Sequence, residues 1–165
     1  MNYYESVVVD YLRADRALFL NTEFCIQINA GLNPDTSGPH WYCDVVACDW
    51  VRHTIFLCEI SYAHSLSSLK DRLIGWNAHW TDIRKALGRD GHLPDDWPVR
   101  PWIFVPEHLV ERITDILNKI ESSEGGLKFH PRITTLEMVQ PWLYRSWDRQ
   151  VEGKKPECVP TNMRE

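Results

Sequence analysis

The 165-residue sequence predicts an α/β fold, a central mixed sheet of four to five strands flanked by helices in the order α-β-β-β-α-β-α-β. Three observations carry this. Short apolar segments with period-two alternation mark strands. A stripe of large apolar residues at three- and four-residue spacing marks a long helix over 65–88. Strands and helices then alternate to the end of the patterned region, which builds one sheet covered by helices.

The elements follow in order. Residues 3–20 carry Tyr4, Val7, Val8, Tyr11, Leu12, Leu18 and Phe19 at helical spacing. In 22–29, Thr22, Phe24, Ile26 and Ile28 alternate with Glu23, Cys25, Gln27 and Asn29, a half-buried strand. A Gly-, Pro- and Asn-rich loop, 30–40, leads to strands at 41–48 and 53–61, whose closeness makes a hairpin the natural pairing. The helix over 65–88 buries Leu66, Leu69, Leu73, Trp76, Trp80, Ile83 and Leu87, with Ser65 or Ser67 as its cap and Gly88 at its stop. A strand at 99–105 precedes a helix over 106–121, opened by Pro106 where proline is tolerated. A short strand near Arg132–Leu136 and a Trp-containing segment, 137–148, complete a single domain over 1–150, and the polar stretch 151–165 reads as a loose tail.

Composition bounds the function. With 44% hydrophobic and 25% charged residues the chain has the make-up of a soluble globular protein, and no apolar run approaches the roughly 18 residues needed to span a bilayer. Acids stand in MNYYESVVVDYLRAD where a signal peptide needs a basic start, so a cytoplasmic protein without a membrane partner is expected. A net charge of −5 argues against a nucleic-acid coat but leaves room for a local basic groove. Five cysteines without a CxxC pair, four of them within apolar strands, read as small hydrophobes rather than as a disulfide or zinc framework. Seven scattered histidines without HxH or HExxH spacing argue against a zinc enzyme, and no Gly-rich phosphate loop is present. Trp76 and Trp80 are expected in the core, whereas Trp50 and Trp97 read as exposed partner contacts, leaving a homodimer or a protein partner open.

The hairpin stretch CDVVACDWVRHTIFLCEISY places Asp44 and Glu59 in apolar strands, where an unpaired carboxylate is costly. An even-membered loop centred on Trp50–Val51 pairs Asp44 with Leu57 and Tyr42 with Glu59. The two acids are then diagonal neighbours on one face, about 7–8 Å apart. Two such carboxylates can share a hard divalent cation that keeps several waters. The bland reading is that each acid bonds nearby backbone or Tyr42.

With Asp44 in the second strand and Glu59 near the end of the third, the helix–strand–strand–strand–helix–strand order over 3–105 resembles the PD-(D/E)XK nuclease superfamily. The resemblance implies Mg²⁺- or Mn²⁺-dependent cleavage of DNA phosphodiester bonds, with Asp44 and Glu59 as metal ligands. The superfamily's lysine, two residues beyond the second acid, is replaced here by Ser61 in Glu59-Ile60-Ser61. Lys70, from the following helix, is the candidate substitute, and Glu5 on the first helix the candidate third acid. Glu23, Gln27 and His64 are candidates for the rim. Against the nuclease stands a module that keeps the fold, has lost catalysis and serves binding or regulation. Ser61 and the acidic charge balance favour the module, and acids retained in apolar strands favour the enzyme.

Overall fold

In the computed structural model, which describes residues 2–143, the period-two segments form one five-stranded sheet in the order β1-β2-β3-β4-β5. The strands are β1 (Leu18–Gln27), β2 (His40–Asp49), β3 (Thr54–Ile60), β4 (Val99–Val105) and β5 (Arg132–Thr135). β1, β2 and β3 pair antiparallel, whereas β3–β4 and β4–β5 are parallel, so the sheet is mixed as expected. The parallel connections run through helices, as crossovers of this kind require. The expected tail at 151–165 lies outside the described residues.

Alternation along the strands divides the core in two. Val46 and Cys48 with Ile55, Leu57, Ile103 and Val105 face helices α2 (Ser67–Ala78), α3 (Trp80–Gly91) and α4 (Val110–Glu121). Val45 and Ala47 with Phe56, Cys58, Trp102 and Phe104 face helix α1 (Tyr3–Arg13) and the 3₁₀ turn Leu136–Val139. β3 lies between these layers and all seven of its residues are buried. Its apolar run is thus the signature of a strand covered on both faces. Among the described residues no helix is long and apolar enough to cross a membrane.

Several boundaries differ from the sequence reading. The first helix ends at Arg13 rather than near residue 20, because Leu18 and Phe19 pair with Asp49 and Cys48 and are drawn into β1. The carboxylate of Asp15 stabilises the intervening turn by accepting from the Ala17 N–H at 2.9 Å. The long helix divides at His79 into α2 and α3, yet its apolar stripe is buried throughout. It is capped by neither Ser65 nor Ser67: Leu66, at φ +52°, is its N-cap, and α3 runs past Gly88 to Gly91. The helix after Pro106 begins as the 3₁₀ turn Glu107–Leu109 before α4.

The hairpin register also differs. Asp49 pairs with Thr54 and Val46 with Leu57, so Leu57 is not the partner of Asp44. The loop has four residues, Trp50 to His53, because the buried Asp49 carboxylate accepts from the N–H groups of Val51 and Arg52 at 3.0 and 2.9 Å. Those bonds open the turn wider than two residues while keeping its even parity. Trp97, expected at the surface, is buried against His53 and Trp50, whereas Trp50 is exposed.

Candidate functional site

The site forms where β2 leaves β3 and its ladder with β1 is interrupted. The β2–β3 ladder ends at Val45 opposite Cys58, and the β1–β2 ladder passes from Thr22–Val45 to Phe24–Cys43 without pairing Glu23 and Asp44. Glu23 adopts φ +57°, a left-handed conformation that a non-glycine residue takes mainly at turns and irregularities. Cys43 packs in the same cluster as Val46, so strict alternation is broken between them. This interruption frees the Asp44 side chain from the regular pattern. Its Oδ2 accepts a hydrogen bond from the Ile60 N–H at 2.8 Å, and so extends the ladder with a side chain where backbone pairing has stopped.

Glu59 precedes Ile60 on β3 and is only 3% exposed. Its Oε2 accepts from Nη1 of Arg72 on α2, and the same nitrogen lies 4.0 Å from Asp44 Oδ1. The two carboxylates therefore meet at one guanidinium. Glu59 Oε1 is buried without a hydrogen-bond partner, one of two such side-chain atoms among the described residues, the other being Trp76 Nε1. Burial above all, and then the like charge of Asp44, push Glu59 up to about 8 against the opposing pull of Arg72. Burial likewise raises Asp44, despite the Ile60 hydrogen bond and Arg72, and the negative charges of Glu5 and Glu23 act in the same direction as burial.

Asp44 and Arg72 open into a cavity of about 380 Å³ whose other walls are Glu5, Val9, Thr22, Glu23, Tyr42 and Val45. Three carboxylates and one guanidinium line it, so its charge balance is negative. Glu5 has a second task here. Its carboxylate accepts from the N–H and Nδ2 of Asn2 at 2.8 and 2.6 Å, while its own N–H donates to Asn2 Oδ1, the reciprocal capping box that starts α1.

The structure brings together Asp44, Glu59, Glu5 and Glu23 from the sequence candidates. Lys70 is exposed on α2 and is not among the cavity's walls. Gln27, at the end of β1, is buried against the segment that follows it instead, donating to the Asn29 and Gly31 carbonyls and accepting from the Asp35 N–H. His64 lies beside α4, its carbonyl accepting from Arg112 Nη1 at 2.7 Å and its ring stacked 6.4 Å from that of His108. Ser61 uses its N–H in the sheet, donating to the Phe104 carbonyl. Arg72 is the functional candidate the sequence reading missed. The signal was its place directly before Leu73 in the apolar stripe, on the flank opposite the one Lys70 occupies after Leu69.

Among the described residues, no three or more His, Cys, Asp or Glu side chains gather closely enough to hold a metal ion by themselves. A cation at this site would rest on Asp44 and Glu59 and otherwise on water, a donor set that suits Mg²⁺, which keeps much of its hydration. The unpartnered Glu59 Oε1 is a hard oxygen donor and fits that chemistry. Compared with known proteins, the chain matches no family model, no curated protein and no solved structure.

Proposed function

We propose that this chain is a divergent PD-(D/E)XK-like nuclease, acting in the cytoplasm, that hydrolyses DNA phosphodiester bonds with Mg²⁺ or Mn²⁺ held by Asp44 and Glu59. The observation that carries the reading is the meeting of these two acids at the end of the β2–β3 ladder, with one Glu59 oxygen buried and unpartnered. An orphaned carboxylate oxygen in a core is expensive unless something compensates it. When bound, the cation would activate a water molecule and offset the charge that develops on the phosphoryl group. Water adds across one P–O ester bond, leaving a phosphomonoester and a hydroxyl, and no further reactant is required.

The protein's own groups divide the remaining work. Arg72 provides the fixed positive charge that Ser61 cannot, and its planar fork suits a phosphate better than a single ammonium does. Glu5 and Glu23 add negative potential at the cavity wall, which attracts a cation.

One observation favours the second reading, a binding or regulatory module that has lost catalysis. Arg72 already touches Glu59 and neutralises part of the pair. The experiment that separates the two is calorimetric titration with Mg²⁺ and with Mn²⁺, run beside a DNA cleavage assay, on the wild type and on Glu59→Ala. Saturable heat and cleavage, both lost in Glu59→Ala, support the nuclease. Absence of heat and of cleavage in the wild type leaves the module.

A further inference from the structure

Exposed tyrosines stand in the wall of the cavity and on the segments that lead from its acids. Tyr42, 46% exposed, lines the cavity itself, two residues before Asp44 on the same strand. Tyr62, 49% exposed, follows Glu59 by three residues at the end of β3. Its ring lies 4.6 Å from that of Tyr4, the residue before Glu5 on α1, at an interplanar angle of 33°. Tyr3 meets Tyr4 edge-on at 5.4 Å and is exposed as well. Thus α1 and the end of β3 bring three solvent-facing aromatic rings together beside the acids, and β2 adds a fourth in the cavity wall. A core role does not account for rings that remain this open to water.

Charge decides what such rings would hold. Binding a double helix relies on many lysine and arginine contacts to phosphate, because the bases are stacked on one another and their faces are unavailable. This cavity offers one guanidinium against three carboxylates, on a chain of net charge −5. Phosphate contacts alone are too few here to hold a duplex. Unpaired bases present faces that stack on aromatic side chains, and this attraction needs no positive charge.

Resting on the phosphodiester reading of the Asp44–Glu59 site, we infer that the substrate class is single-stranded DNA or an unpaired stretch of it. Its bases stack on the Tyr4–Tyr62 platform and on Tyr42, and its backbone phosphate comes to Arg72.

The test uses the full chain and fluorescence anisotropy with a labelled oligothymidylate and a labelled duplex, with Ca²⁺ in place of Mg²⁺. The single strand binds at least about ten-fold more tightly than the duplex, and its affinity falls only shallowly with salt because few counterions are released. Tyr62→Ala and Tyr4→Ala each weaken single-strand binding by roughly ten-fold, the loss of about one stacked base, while Tyr62→Phe retains it. Thermal unfolding of each variant confirms the fold, and the phenylalanine variant controls for any that is destabilised.

Equal or tighter duplex binding overturns the inference, as does a steep salt dependence or indifference to both alanine variants. The outcomes also separate this inference from the reading beneath it. Metal-dependent cleavage of duplex DNA without any tyrosine effect removes the platform and keeps the nuclease. Tyrosine-dependent single-strand binding without metal heat or cleavage removes the nuclease and keeps the platform. Failure to bind either probe overturns the inference outright.

Discussion

Protein stability should fall as pH rises from 5 to 8, and Glu59 should be the cause. The carboxyl stands at about 8 in the folded chain, against the ordinary value of 4.5. Between those values the folded state keeps a proton that the unfolded state has released, so each step upward in pH favours unfolding. At about 1.36 kcal/mol per pKa unit, the full window corresponds to a loss on the order of 5 kcal/mol, complete once pH passes the folded value near 8. That is a large part of the roughly 5–15 kcal/mol by which a native domain is stable. Asp44, also raised by burial, adds loss of the same sign. Asp49 acts oppositely: burial works to raise it, but the bonds from Arg52 and Val51 outweigh burial and lower it. Its contribution is lost only as pH falls below the ordinary Asp range, outside this window. The perturbation is Glu59→Gln, which keeps an acceptor for Arg72 and removes the titration. Urea unfolding followed by tryptophan fluorescence at pH 5, 6, 7 and 8 is the assay. With a slope of about 2 kcal/mol/M, the wild-type midpoint should drop by roughly 2 M across the series relative to Glu59→Gln. Subtracting the variant's profile removes other titrating groups to a first approximation, and Lys70→Ala, at an exposed position, should follow the wild type. A difference profile that is flat, or that rises with pH, refutes the argument.

The other predictions concern the elements that hold the site in place. Asp49→Ala removes the acceptor for Val51, Arg52 and the Arg52 guanidinium at once, and should cost about 2–3 kcal/mol by urea unfolding. A cost below about 0.5 kcal/mol would mean that the hairpin turn does not depend on that carboxylate. Gly75→Ala should destabilise by about 1 kcal/mol even though alanine is the better helix former, because its Cβ would sit 2.9 Å from the Trp41 ring. A rise in Tm for this variant would show instead that Trp41 swings aside.

How far the sequence discloses the site depends on how local each determinant is. Strand β4 was legible to the residue, and the apolar stripe of α2 and α3 was buried as its spacing implies, because period alone decides which side faces a core. Leu18 and Phe19 show the limit: the same apolar residues continue a helical pattern in isolation, and only pairing with Cys48 and Asp49 makes them strand. Neither the parity nor the register of the β2–β3 hairpin was fixed by local signals, since Asp49 widens the turn through its side chain rather than through a glycine signal. The acids Asp44 and Glu59 stood out because carboxylates in apolar strands violate the pattern around them. A cation on a helix violates nothing. Lys70 and Arg72 flank the stripe on opposite sides, Lys70 following Leu69 and Arg72 preceding Leu73, and a stripe has no marker for which flank turns toward the end of the sheet. Tilt and placement of α2 over the sheet decide that, and they arise from packing among α2, α3 and α4 rather than from any local signal. The tyrosines were hidden for a related reason. Tyr4 belongs to a helical pattern and Tyr62 follows a strand, and nothing in either segment says that the two rings will meet 4.6 Å apart. What a single sequence hides here is the contact between elements. That contact joins the two acids to Arg72, and it sets the aromatic platform beside them.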